Sequence, residues 1–223
     1  MKLAVFDCDG TLVDGQAAVC DAMEAAFAQA GLPAPDRGAV RRIVGLSLPQ
    51  AVRTLAPHAA PERQMAAVEA YKAAFRTARD AGALEEPLYD GLADLLERLR
   101  ASGWQLAVAT GKSDRGLAAC LAGHAIDHLF CSLQTADRHA SKPDPAMLEA
   151  ALAEAGAQPH EAVMIGDTSF DMAMARAAGV RAIGVAWGYH GDDELLAAGA
   201  EAVARSMEEL EGLLDGQPTT TSA

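Results

Sequence analysis

The sequence predicts an α/β fold: a Rossmann-like parallel sheet core flanked by helices, carrying a small all-helical cap domain. Three observations predict it. Short apolar runs alternate with helical patterns along most of the chain, as they do when a parallel sheet is covered by crossover helices. About half of the residues are apolar (51%) but only 4% are aromatic, a composition suited to alanine-rich helices around an aliphatic sheet. One interval, between the first two strands, is far too long for a single crossover.

Leu3–Phe6 reads as the first buried strand, and Gln105–Ala109, Val163–Ile165 and Ala182–Val185 read likewise, with shorter strands expected near Cys131–Leu133 and Ala202–Val203. Helices between them carry start and stop signals. Asp90 is expected to cap one that ends near Gly103, Pro145 opens one that ends near Gly156, and Gly179 closes a third. Nearly a hundred residues separate the first strand from Gln105, whereas a βαβ unit needs roughly thirty. The excess is helical. Val19, Met23 and Phe27 recur at fourfold spacing before Gly31-Leu32-Pro33, and Asp36 caps a helix expected to stop at Gly45. Pro61 opens a long helix whose Met65, Val68, Lys72 and Phe75 predict one largely apolar face. The expected division is therefore a catalytic core over 1–14 and 86–215, a helical cap over 15–85, and a disordered tail over 216–223.

A net charge of −13 disfavours nucleic acid as a partner, because no basic run beyond Arg41-Arg42 offsets the mean field. A small anionic ligand remains compatible with it, held by a few placed cations. Cys8, Cys20, Cys120 and Cys131 form no CxxC pair, the N-terminal apolar run is too short for a signal peptide, and no stretch is long enough for a bilayer. The expectation is a cytoplasmic protein with reduced thiols and no membrane partner.

The strongest chemical signal is FDCDGTLVD, directly after the first strand. Ligands of parallel sheets bind beyond the carboxyl ends of strands, so Asp7 and Asp9 stand where reactive groups belong, and a cation would relieve their repulsion. Three further clusters share that rim. VATGK offers Thr110 and Gly111 to an anion; SKPDP places Lys142 before a helix; VMIGDTSFD brings Asp167 and Asp171, carboxylates suited to a hard metal. Taken singly, a strand-end threonine is usually a cap and a lysine is usually solvated. Four such clusters on one rim are hard to produce by accident. Other candidates carry less. Cys8 reads as a packed side chain, and His124 and His128 lack a third ligand for zinc. Leu117 and Leu121 read as core. Trp187-Gly188-Tyr189-His190 reads as packing near the rim.

DxDGT, the strand-end Thr, the Lys before a helix and GDxxxD, in that order, resemble the four motifs of the haloacid dehalogenase-like hydrolases, closest to the phosphoglycolate phosphatase-like branch with a helical cap between the first two motifs. The resemblance implies a Mg²⁺-dependent phosphatase acting on a small phosphorylated metabolite, phosphoglycolate-like or a sugar phosphate. It implies Asp7 as nucleophile and Asp9 as acid–base. It also implies Mg²⁺ held by the Asp7 carboxylate, the Asp9 carbonyl and the Asp167 carboxylate, phosphate bound by Thr110, Gly111 and Lys142, and Asp171 as support behind them. Gly45 would lie in the cap loop that governs specificity; Arg41, Arg42, Arg53, Lys72 and Arg76 are candidate anion contacts on the cap, although each reads more readily as a solvated helix charge. Two alternatives are a phosphosugar mutase and a non-catalytic phosphate-binding protein. Mutases of the family carry a basic residue shortly after a Gly-x-Ser in the cap loop, whereas Gly45-Leu46-Ser47 is followed by Leu48 and Pro49. A binding protein would be expected to lack at least one of Asp7, Asp9, Lys142 and Asp167.

Overall fold

The computed structural model describes residues 2–216. β1 (Lys2–Phe6) is followed by four helices, α1 (Gln16–Gln29), α2 (Arg37–Arg42), α3 (Leu48–Leu55) and α4 (Pro61–Asp80). The chain then alternates through α5 (Leu92–Ala101), β2 (Trp104–Thr110), α6 (Asp114–Gly123), β3 (Phe130–Thr135), α7 (Ala146–Ala155) and β4 (Ala162–Gly166). It finishes with α8 (Ser169–Ala177), β5 (Arg181–Val185), α9 (Asp192–Ala198), β6 (Ala202–Ala204) and α10 (Met207–Leu214). All strands pair in parallel, in the order β3-β2-β1-β4-β5-β6. This is the doubly wound arrangement, and its switch point lies between β1 and β4.

Alternation along β1 divides the core into two layers. Ala4 and Phe6 pack with Leu95, Leu99, Leu117, Leu121 and Leu210 from α5, α6 and α10. Leu3 and Val5 face Met147, Leu148, Met172 and Leu195 from α7, α8 and α9. Both layers are apolar and largely buried, which fixes the carboxyl ends of the central strands in register.

The helices between β1 and β2 form the cap and bury an apolar cluster of their own: Val19, Cys20, Met23, Phe27, Val40, Val52 and Val68. Its entry and exit run side by side, because the Asp14 amide donates to the Pro87 carbonyl at 2.8 Å and Val13 bridges Leu88.

Three local expectations change. Asp90 caps nothing: Gly91, at φ +78°, takes the N-cap of α5, a conformation an aspartate adopts reluctantly. Asp36 does cap α2, accepting from the Ala39 amide at 2.8 Å, but the helix stops at Arg42 and turns lead on to Gly45 at φ +95°. On α4 Val68 is buried but Met65 is 59% exposed, because α1 covers α4 along the line of Ala67, Val68 and Ala70. The expected tail lies, apart from Gly216, outside the described residues. Among these residues no helix is long and apolar enough to cross a membrane.

Candidate active site

The central strands deliver the site. After β1 the chain turns tightly: the Cys8 carbonyl accepts from the Leu12 and Val13 amides at 2.8 and 3.1 Å, with Gly10 at φ +84°. That turn leaves Asp7 wholly buried beneath and Asp9 at the mouth. Thr110 is the last residue of β2 rather than the first beyond it, and Gly111 begins the loop. Lys142 sits in the turn before α7. Asp167 follows β4, and Asp171 lies in the first turn of α8.

Asp7, Asp167 and Asp171 bring one carboxylate oxygen each to within 4.8 Å of one another, all buried. Lys142 stands between two of them, its Nζ 2.9 Å from Asp7 Oδ1 and 2.6 Å from Asp171 Oδ1. Burial alone would lower the Lys142 ammonium; Asp171 and Asp7 outweigh it and raise it. Burial raises the Asp7 carboxyl to about 7 against the pull of Lys142, with Asp171 adding to the rise, and burial likewise raises Asp167, with help from Asp7. Three carboxylates against one ammonium leave charge that a divalent cation would balance.

The free lone pairs agree. Asp171 Oδ2 accepts from the Thr168 hydroxyl at 2.7 Å, and Asp167 accepts from the Thr11 hydroxyl at 2.8 Å and the Tyr189 amide at 2.9 Å. Asp7 Oδ1 takes the Cys8 amide at 2.7 Å, but the buried Asp7 Oδ2 has no hydrogen-bond partner. An orphaned carboxylate oxygen among hard oxygen donors is the set that Mg²⁺ fits.

Asp9 belongs to a second group. Lys112 Nζ lies 2.9 Å from Asp9 Oδ1 and 2.5 Å from Glu86 Oε1, with the Phe75 ring 5.9 Å away. Sequence reasoning named the VATGK segment but assigned no role to its lysine, and it missed Glu86 altogether. The loop Trp187 to His190 also proves closer than expected. Gly188 packs against the Asp167 side chain so tightly that any Cβ there would collide with it, and the Tyr189 amide holds the carboxylate. His124 and His128 do not converge: His124 meets the Glu86 carbonyl, while His128 approaches Glu97.

The cap sits over this rim. Gly45 and Leu46 place their carbonyls against Gly111, where an added Cβ would lie 2.7 and 2.6 Å from them. Ser47 N donates to Ser141 Oγ at 2.8 Å, and Arg42 pairs with Glu194 at 2.6 Å. Lys72 pairs with Glu69, and Arg53 with Gln50, both within the cap.

Acidic groups at the ends of adjoining central strands, roofed by an inserted helical cap, define a capped α/β hydrolase. The chain belongs to the haloacid dehalogenase-like hydrolases, whose family model matches residues 4–185, and is a phosphatase of that family. It is 36% identical over 214 residues to the probable phosphatase IndB of Dickeya dadantii, spanning 94% of this chain and 92% of that protein. Over 197 residues it is 34% identical to a phosphoglycolate phosphatase of Rhodospirillum rubrum, spanning 84% and 80% of the two chains. The crystal structure of a hydrolase from Pseudomonas syringae superposes with a TM-score of 0.86 at 25% identity, covering 98% of this chain and all of that one.

Proposed function

We propose that the chain is a Mg²⁺-dependent phosphatase that hydrolyses a small phosphate monoester, phosphoglycolate-like or a sugar phosphate, through a phosphoryl group carried on Asp7. The observation that carries this reading is Asp7 Oδ2, a buried carboxylate oxygen with no partner beside a buried lysine. The similarity to phosphatases over nearly the whole chain supports it.

In this reading Asp7 Oδ2 attacks phosphorus and the bond to the leaving oxygen breaks. Asp9, at the mouth, gives that oxygen its proton. Asp9 then takes a proton from water as the water oxygen attacks the same phosphorus, which frees Asp7 and releases inorganic phosphate. Thr110, the Gly111 amide and Lys142 hold the phosphoryl oxygens, and Asp171 keeps Lys142 aimed. Asp7, Asp167 and the Asp9 carbonyl would hold Mg²⁺, which when bound supplies charge neutralisation to the phosphoryl oxygens. Residues 15–85 act as the lid that excludes bulk water, with Gly45 in its inner loop.

Two variants test the scheme with an aryl phosphate, whose leaving group barely needs a proton. Intact-mass measurement after rapid quenching should show one added phosphoryl group on Asp9→Asn and none on Asp7→Asn. EDTA should abolish wild-type turnover and Mg²⁺ restore it. Substantial turnover by Asp7→Asn would remove the nucleophile assignment.

A further inference from the structure

Between cap and core lies a cavity of about 350 Å³ that opens from Asp9 and is unlike a site for a two-carbon ester. Cavities of that size take drug-sized ligands. One wall is α4, which presents Tyr71, Phe75, Arg76 and Arg79 to the cavity. The two rings stack with centroids 4.8 Å apart. Met23 and Leu48 extend the apolar surface on the cap side.

The cations on this wall fall into two kinds. Lys112 and Lys72 are spoken for by Asp9, Glu86 and Glu69. The side chains of Arg76 and Arg79 on α4, and of Arg115 on the first turn of α6, make no hydrogen bond or ion pair among the described residues. By contrast, Arg37, Arg42, Arg98, Arg138, Arg181 and Arg205 find carboxylates in this chain of net charge −13. Three like charges left together around one cavity repel, and an anion between them removes the repulsion. Of the acidic residues on the wall, Asp9 faces Lys112 and Asp137 accepts the Asp114 amide at 2.9 Å.

The order along α4 sets a length. Phe75 lies over Lys112, hence beside Asp9, while Arg79 is one turn further along, about 6 Å at 1.5 Å per residue. We infer that the substrate is a phosphate monoester with an apolar or ring-bearing body against Tyr71 and Phe75 and a second anionic group, carboxylate or phosphate, at Arg76, Arg79 and Arg115. This rests on the phosphatase reading above and narrows its substrate to esters with a larger leaving group than that of phosphoglycolate.

Rigid aryl phosphates test it. 4-Carboxyphenyl phosphate and its neutral isostere 4-carbamoylphenyl phosphate differ only in the distal charge, phenyl phosphate has no distal group, and 1,4-phenylene bisphosphate carries a phosphate there. With Mg²⁺, both anion-bearing esters should exceed the carbamoyl ester in kcat/KM by about tenfold, the lower range for hydrogen bonds to a charged group. The better of the two identifies which anion the site prefers. The gain should sit in KM and shrink with added salt. In Arg76→Gln/Arg79→Gln it should largely vanish while phenyl phosphate turnover stays as in the wild type, which also reports an intact fold. Should the double variant misfold, Arg115→Gln from the core side must lower the same ratio. Equal turnover of the charged and neutral esters, a preference that survives all three substitutions, or phosphoglycolate outperforming every aryl ester overturns the inference and leaves the phosphatase intact. Failure to hydrolyse any ester overturns the phosphatase reading itself.

Discussion

Two lysines, each set between two carboxylates, serve different parts of the molecule. Lys142 lies between Asp7 and Asp171 with all three side chains essentially inaccessible, and every member comes from the core. Lys112 lies between Asp9 and Glu86, keeps a little solvent contact, and packs under Phe75 of the cap, while Glu86 sits where the chain returns from the cap. The first group is closed on itself; the second spans the boundary between two bodies. The side chains of the first group all belong to the core, whereas the orientation of Asp9 depends on how the cap is seated.

The largest effect that would break this contrast is expected at Lys142. Lys142→Met strands Asp7, Asp167 and Asp171 without their cation, so urea unfolding in EDTA should show a loss of about 3–5 kcal/mol, as for one partner removed from a buried pair. A loss as small as that of a surface lysine would mean the cluster is wetter than its burial implies.

Next comes the response to metal. Asp7 rises from an ordinary 3.8 to about 7 in the folded chain, and Asp167 is raised as well. The metal-free fold therefore binds more protons than the unfolded chain in that interval. The contribution of Asp7 to stability is fully present below its ordinary value and is lost as pH rises through about 7, and Asp167 acts in the same direction. Bound Mg²⁺ needs the deprotonated carboxylates, so its gain in Tm should be small near pH 5 and grow towards pH 8. At a hundredfold excess over Kd the stabilisation free energy at high pH should reach about 2.7 kcal/mol. A gain independent of pH would place the metal elsewhere.

Lys112→Met sharpens the comparison from the other side. Asp9 loses its anchor, so turnover of an alkyl phosphate, which needs a proton on the leaving oxygen, should fall by about tenfold, while an aryl phosphate should change little. Equal loss on both would make Lys112 a phosphate ligand rather than a positioning residue for Asp9. The smallest effect is expected at the exposed Arg42–Glu194 pair, where Arg42→Ala should cost under about 1 kcal/mol in thermal unfolding.

The closed group was the more legible of the two in sequence. Asp7, Asp167, Lys142 and Asp171 follow strands or open helices, and short apolar runs mark those places without tertiary information. Glu86 and Lys112 meet Asp9 only because the cap's entry and exit run side by side, a pairing no local pattern encodes. Lys112 did carry a signal, standing directly after Thr110 and Gly111 at a strand end. Gly188 and the Tyr189 amide act through backbone, which leaves no side-chain signature. Met65 misled because its spacing fits the apolar face of α4 while its direction points away from α1.

Position 111 shows how little separates a seated lid from an excluded one. The carbonyls of Gly45 and Leu46 occupy the space a side chain would need there, so one methyl group on the phosphate loop would act as a wedge. The cap therefore dictates a bare volume at this point, and in the proposed phosphatase reading a bound anion would ask for bare amides there as well. The lid rests on backbone here and is tethered at its rim by the Arg42–Glu194 ion pair, the Ser47–Ser141 hydrogen bond and the contact of His190 Nε2 with the Arg42 carbonyl. Ionic strength should then tune the interval between bond cleavage and product escape, a throttle set by counterions rather than by any group that touches phosphorus.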